Sequence, residues 1–258
     1  MGVRVHLLAV PILLSLTGPA SAAAAAATGV GGHCPPAHLP AARPLPATAR
    51  AVADRRPVLL LAVGSALQAV HVGPAQTFPA LTVELLRHAM SLPVELLLRD
   101  DPGATAADMV PALRRALTDR RATLVLWQTG TVDAARHVPP AAFGAALAEG
   151  VRLTQASGAD LVLIDPLYSR LLQDRADLAP YEAQLAQAAQ SSGVGLFRRN
   201  ALVRQWVAGG ALDMEAVPAS GRARTLVALH DCLAAALAQQ ILAGANTDQP
   251  SSQADDNN

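Results

Sequence analysis

The chain has 258 residues, 52% of them hydrophobic and 16% charged, which supplies one sizeable core and argues against wholesale disorder. Twenty arginines, with no lysine, balance twenty acidic residues; no basic run breaks the balance, so nucleic acid is excluded as a partner and an anionic membrane surface is not favoured. Aromatic residues make up only 3% and leave no stacking platform for bases or sugars.

In chain order, Arg4 precedes an apolar run from Leu7 to Leu16, and Ala20-Ser21-Ala22 then offers small residues to a signal peptidase. This pattern predicts a cleaved signal peptide over 1–22 and a periplasmic or secreted protein, with an uncleaved anchor as the alternative. The run is about half the ~20 residues that cross a bilayer, and no later stretch reads as long and uncharged enough, so no membrane span is expected after cleavage. Cys34 and Cys232 are the two cysteines. An even count in an exported chain predicts that they pair; two separate buried thiols are the other reading. Residues 23–56 are rich in Ala, Gly and Pro, with Pro35-Pro36 and prolines at 40, 44 and 46, and are expected to form an extended arm without helix. The polar end, 245–258, has nothing to bury and is expected to be a disordered tail. One domain is left, over 57–244.

Within it, short apolar runs alternate with amphipathic ones. Strands are predicted at Val58–Val63, Val94–Leu98, Leu124–Trp127, Leu161–Ile164 and Gly195–Phe197, because continuous apolar runs suit strands buried on both faces. Helical spacing predicts helices over Phe78–Met90, Ala106–Leu117, Ala141–Thr154, Tyr181–Gln190 and about Thr225–Leu242. The alternation implies a parallel five-stranded sheet in an α/β fold, with helices on both faces and the functional site at the carboxyl ends of the strands. Trp127 and Trp206 are assigned to the core.

Those strand ends carry Gly64-Ser65-Ala66-Leu67, Arg99-Asp100-Asp101-Pro102-Gly103, Gln128-Thr129-Gly130-Thr131-Val132-Asp133 and Asp165-Pro166-Leu167-Tyr168. In this order the chain resembles the SGNH, or GDSL-type, hydrolases. The stretch Leu124 to Asp133 is similar to that family's third block, and Ala159 to Tyr168 to the strand that follows in exported bacterial members. The resemblance runs from about Pro57 to Ile241. It implies a flavodoxin-like three-layer α/β/α sandwich and cleavage of esters, commonly acetyl or acyl groups on carbohydrates and lipids.

Residue by residue, the resemblance implies a damaged site. Where the family has its nucleophilic serine, this chain has Ala66, preceded by Gly64 and Ser65. Gly103 matches the glycine whose backbone N–H binds the oxyanion, a role that needs only close approach. Val132 stands where the family has an asparagine donor, and Gly221-Arg222-Ala223-Arg224 where it has the Asp and His of the triad. Serine needs an adjacent base, and one lost oxyanion donor costs roughly 10²–10³ in rate.

The neighbours offer substitutes, each with a plainer reading. Ser65 is a displaced nucleophile or a serine bonding its own turn. His230 and Asp231 are a displaced base and its orienter, or a histidine facing solvent or the arm. Asp133 with Asp100 and Asp101 is an acidic cluster, or a set of solvated loop carboxylates and helix caps. Asp165 and Gly130 line the pocket, or Asp165 with Pro166 is a cap and a turn. No His pair at ligand spacing points to a metal, no glycine-rich phosphate loop follows a strand, and no cofactor is expected. Two functions follow: a non-catalytic exported protein that binds an acylated glycan, a lipid or an envelope partner in polysaccharide modification, or an esterase or acyltransferase with a site rearranged around Ser65.

Overall fold

A computed structural model describes residues 34–65, 73–213 and 219–246. The predicted signal peptide, the arm before residue 34, Ala66 and the chain after 246 lie outside the described residues. Strands β1 (Val58–Gly64), β2 (Val94–Asp100), β3 (Leu124–Gln128), β4 (Asp160–Ile164) and β5 (Val194–Phe197) form one parallel sheet in the order β2-β1-β3-β4-β5. The order reverses beside β1, where doubly wound sheets open a crevice at the carboxyl edge.

Alternation along each strand divides the core into two. Leu60, Ala62, Leu126, Val162 and Ile164 pack under α2 (Phe78–Met90), α8 (Arg199–Ala208) and α9 (Ala219–Asn246). Leu61, Val63, Val125, Trp127 and Leu163 pack under α3 (Ala106–Asp119), α5 (Pro140–Ser157) and α7 (Ala179–Ala188). Because both faces are covered, the strands are apolar at successive positions. The three-layer sandwich and all five strands stand where the sequence placed them. Trp127 and Trp206 are buried, and Gly150 of α5 has its Cα against the Trp127 ring, with no room for a Cβ.

Several expectations need correction. Among its described residues the arm is irregular over 34–45, but it then forms a helix, α1 (Pro46–Ala53). Proline at the first helical position lacks an N–H that has no intrahelical partner anyway, and its fixed φ suits the first turn. No local side chain caps α1. Its cap comes from Asp160, which accepts from Ala47 N–H (3.1 Å), Thr48 N–H (2.7 Å) and Thr48 Oγ1–H (2.8 Å). Helix α8, the short α4 (Thr131–Ala135) and α6 (Arg170–Gln173) carry too little periodicity to be read from sequence. Helix α9 starts at Ala219 and runs to Asn246, so Gly221 to Arg224 are helical, as are the first two residues of the expected tail. By length and composition its stretch Ala223–Asn246 suffices to cross a membrane, contrary to expectation, but more than half of its most apolar 18-residue window is buried against the rest of the protein.

Cys34 and Cys232 form a disulfide, Cα to Cα 5.3 Å. The arm crosses α9 where Gly244 sits: a Cβ there would lie 2.6 Å from the Arg43 carbonyl oxygen. Leu45 N–H donates to Gly244 O (3.0 Å) and Trp206 Nε1–H to Pro36 O (3.3 Å).

Candidate functional site

Register fixes the carboxyl edge. Gly64 is level with Asp100 and Gln128, and Gln128 with Ile164, so Ser65, Thr129 and Asp165 follow at one height on strands spaced about 5 Å apart. Asp101 N–H donates to Gly64 O (2.8 Å) and folds the loop after β2 against β1. In that loop Gly103 has φ +82°, and Arg136 Nη2 would lie 3.5 Å from a Cβ placed on it. Gly130 has φ +92° and caps α4; a Cβ there would meet Phe143 and Pro166 at 3.4 Å. Glycine is required at both turns by φ. Ser65 is 6% exposed, and Val132 is half-buried in α4.

Three of the titratable candidates, Asp133, Asp165 and His230, are each engaged at the first turn of a helix. Asp133 is buried rather than solvated, and both its oxygens accept from Ala106 N–H (3.1 and 3.2 Å) at the start of α3. Burial holds its pKa above the usual carboxylate range against the pull of that bond. Asp165 Oδ1 accepts from Asn200 N–H (2.9 Å) in the first turn of α8, so the cap-and-turn reading describes its contacts. His230 does not face solvent: it is 8% exposed, its Nδ1 accepts from Phe78 N–H (2.8 Å) at the start of α2, and its ring stacks on Phe78 at 6.0 Å. Asp231, next on α9, is half-buried and is not brought to the histidine as an orienter by any described hydrogen bond. With Asp160 on α1, four helix N-termini are thus capped by side chains from distant elements, where unpaired N–H groups and the helix dipole favour an acceptor.

Sequence reasoning missed the centre of this layer. Arg199, 3% exposed, donates from Nη1 to Gln128 Oε1 (2.7 Å) and from Nη2 to the Asp165 carbonyl (2.8 Å), with its Cζ 5.8 Å from the Phe78 ring centre. It joins β3, β4, α2 and α8. Burial pulls its pKa down to about 10, which leaves it charged at neutral pH. Burial pushes Asp165 up to about 7, with Asn200 N–H and Arg199 opposing, and pushes His230 down to about 4, assisted by Arg199. Arg199 Nε, Asn200 Nδ2 and Thr129 Oγ1 are buried without a partner. The available signal was Arg198-Arg199-Asn200 directly after the last strand, a polar run where a chain leaves the carboxyl edge. Beside this layer is an open polar cleft of about 660 Å³, lined by His137, Asp174, Arg175, Glu182 and Arg204 among others. Among the described residues no three His, Cys, Asp or Glu side chains group as a metal site.

The family model of the non-GDSL lipase-like proteins matches residues 32–247. The chain belongs to that family. None of the curated proteins matches it. Several solved structures share its fold: TesA, at 19% identity over 67% of this chain and 94% of that one, TM-score 0.50; a catalytic mutant of the acetylxylan esterase Axe2 from Geobacillus stearothermophilus, at 17% over 71% and 94%, TM-score 0.53; and a mutant of the esterase AlinE4, at 17% over 64% and 89%, TM-score 0.51. The resemblance to SGNH, or GDSL-type, hydrolases read from the strand ends therefore holds at the level of family and fold, and the non-GDSL lipase-like chain has Gly64-Ser65-Ala66 where the first block of its relatives is expected.

Proposed function

We propose that this protein is an exported, non-hydrolytic member of its family that binds an acylated glycan at the carboxyl edge of the sheet, in envelope or exopolysaccharide modification. The observation that carries the reading is the hydrogen bond from Phe78 N–H to His230 Nδ1. A neutral imidazole has one lone pair free to take a proton, and this bond occupies it; Nε2 then carries the hydrogen and can only donate. A pKa near 4 keeps the ring neutral and a poor base across the physiological range. Asp133 and Asp165 are likewise held by helix N–H groups, and Val132 donates nothing to an oxyanion. The backbone N–H at Gly103 remains for holding a carbonyl without reacting. The esterase folds around it support an acyl group as the part of the ligand that is read, although fold by itself does not fix function.

Hydrolysis of a short-chain acyl ester by the purified mature protein, beside Ser65→Ala, tests this. Turnover at background in both, with no labelling by a serine-directed phosphonate, is expected. Stoichiometric labelling of Ser65, with activity that Ser65→Ala abolishes, would establish the esterase alternative with its nucleophile moved by one residue.

A further inference from the structure

Strand β2 is one edge of the sheet, and among the described residues no strand pairs with its outer side. The other edge strand, β5, is four residues long, short enough to be harmless. Strand β2 is seven residues long, without proline, and a long apolar edge invites pairing with another chain. Leu96, Leu97 and Leu98 are successive and all only half-buried. Leu96 and Leu98 lean on the core under α2, Leu97 on the core under α3, so both faces of the sheet end in partly exposed leucine.

The bonds to β1 set which backbone groups point outward. The Pro93 carbonyl accepts from Val58 N–H (3.0 Å), and Asp101 N–H donates to Gly64 O (2.8 Å). Odd-numbered residues therefore face β1, and even-numbered ones turn N–H and C=O outward. The outward carbonyls of Val94 and Leu98 are met by arginine side chains, Arg87 Nη2 (2.7 Å) and Arg99 Nη1 (3.1 Å). Glu95 and Arg99 flank the leucines, exposed and on the same face as Leu97. They stand about 13 Å apart along the strand, too far to pair with each other, and their neighbours on β1 are Leu59 and Val63. Glu95 has an exposed partner in Arg120 (3.3 Å); among the described residues no carboxylate pairs with Arg99.

We propose that β2 pairs with the β2 strand of a second copy of this chain, antiparallel, with the two-fold axis at Leu97. Leu96 then lies opposite the partner's Leu98; both turn N–H and C=O outward and exchange both bonds, and the two-fold repeats this on its other side. Arg99 leaves its own Leu98 carbonyl, which takes the N–H of the partner's Leu96. Leu97 meets the partner's Leu97, and Glu95 the partner's Arg99, in non-hydrogen-bonded pairs, where facing side chains are closest. Charge selects this register. Moving the axis to Leu96 sets Glu95 against the partner's Leu97, and moving it to Leu98 sets Glu95 against the partner's Asp101. With the axis at Leu97, opposite charges face each other at both symmetry-related pairs. Two five-stranded sheets become one, and the exposed β2 edge of each is removed. Because the strands are antiparallel, the carboxyl edges of the two sheets point in opposite directions, so neither candidate site depends on the other.

Sedimentation velocity of the full mature chain, from about 1 to 100 μM, reads the assembly. Expected is a reversible dimer, with a dissociation constant at least about tenfold higher in Glu95→Arg and in Arg99→Glu, since each sets like charges opposite one another at both pairs. Mixing these two variants is expected to restore association as a heterodimer, because every facing pair is again opposite in sign. Should either reversal not fold, as judged by far-UV circular dichroism, Leu97→Lys decides: it sets two ammonium groups against each other on the axis and is expected to be monomeric. A wild-type chain that stays monomeric throughout the range overturns the proposal. A dimer indifferent to the charge reversals or to Leu97→Lys also overturns it, since association then uses another surface. Failure of the mixed variants to associate better than either alone overturns the register.

Discussion

Asp165→Asn isolates the effect of burying a carboxyl group at the sheet edge. Asparagine keeps the Oδ1 that accepts from Asn200 N–H and removes only the titration. In the folded protein Asp165 is pushed from the ordinary 3.8 up to about 7, so between those values the folded form holds a proton that the unfolded form has lost. Stability therefore falls as pH rises through that window. At 1.36 kcal/mol per pH unit, the full effect is about 4 kcal/mol; it is an upper limit, because the Asp165 charge also steadies Arg199. His230 acts in the opposite sense: its folded pKa lies at about 4, below the ordinary 6.5, so stability rises with pH from 4 to 6.5 by up to about 3 kcal/mol. The two largely offset each other in the wild type. Urea unfolding at pH 4.5, 5.5, 6.5 and 7.5, in buffers free of carboxylates, is expected to show Asp165→Asn gaining on the wild type as pH rises, by about 2–4 kcal/mol across the range. Other titrating groups are common to both proteins and cancel in the difference. A difference that stays constant with pH would refute the buried, proton-holding Asp165.

Further expectations concern the arm, the core and one cap. Reduction of the Cys34–Cys232 bond, or Cys34→Ala, frees a closed loop with a sequence separation of 198; the chain-entropy relation puts the loss at about 5 kcal/mol, read from the urea midpoint, and a change under about 1 kcal/mol would mean that the docked arm supplies the constraint itself. Asp160→Ala leaves Ala47, Thr48 and the α1 dipole without their acceptor, for a loss of about 2–4 kcal/mol and proteolytic cleavage within 46–53; an uncut α1 would show that packing alone holds it. Gly150→Ala drives a methyl into the Trp127 ring and is expected to cost about 1–3 kcal/mol by thermal unfolding, an unchanged midpoint counting against the tight contact.

What could be read from the sequence was whatever depends on local period. Continuous apolar runs at Val58, Leu124 and Leu161 announce strands covered on both faces, and the spacing of Leu81, Leu85 and Ala89 announces α2, whose bounds agree with the reading residue for residue. An even cysteine pair together with the predicted signal peptide announced the disulfide. Helices α1 and α8 were not legible, because neither is specified by its own pattern: α1 is held by Asp160 from β4 and α8 by Asp165 after that strand, more than thirty residues away in each case. The roles of Asp133, Asp165 and His230 were hidden for the same reason. A histidine or aspartate at a strand end has one identity in the sequence and several uses, and which lone pair is taken depends on which helix N-terminus arrives beside it. Arg199 shows the division most sharply. From sequence it is one of twenty arginines in a chain of 258 residues; only the approach of β3, β4 and α2 buries it, because desolvation is a property of the assembled neighbours and not of the residue.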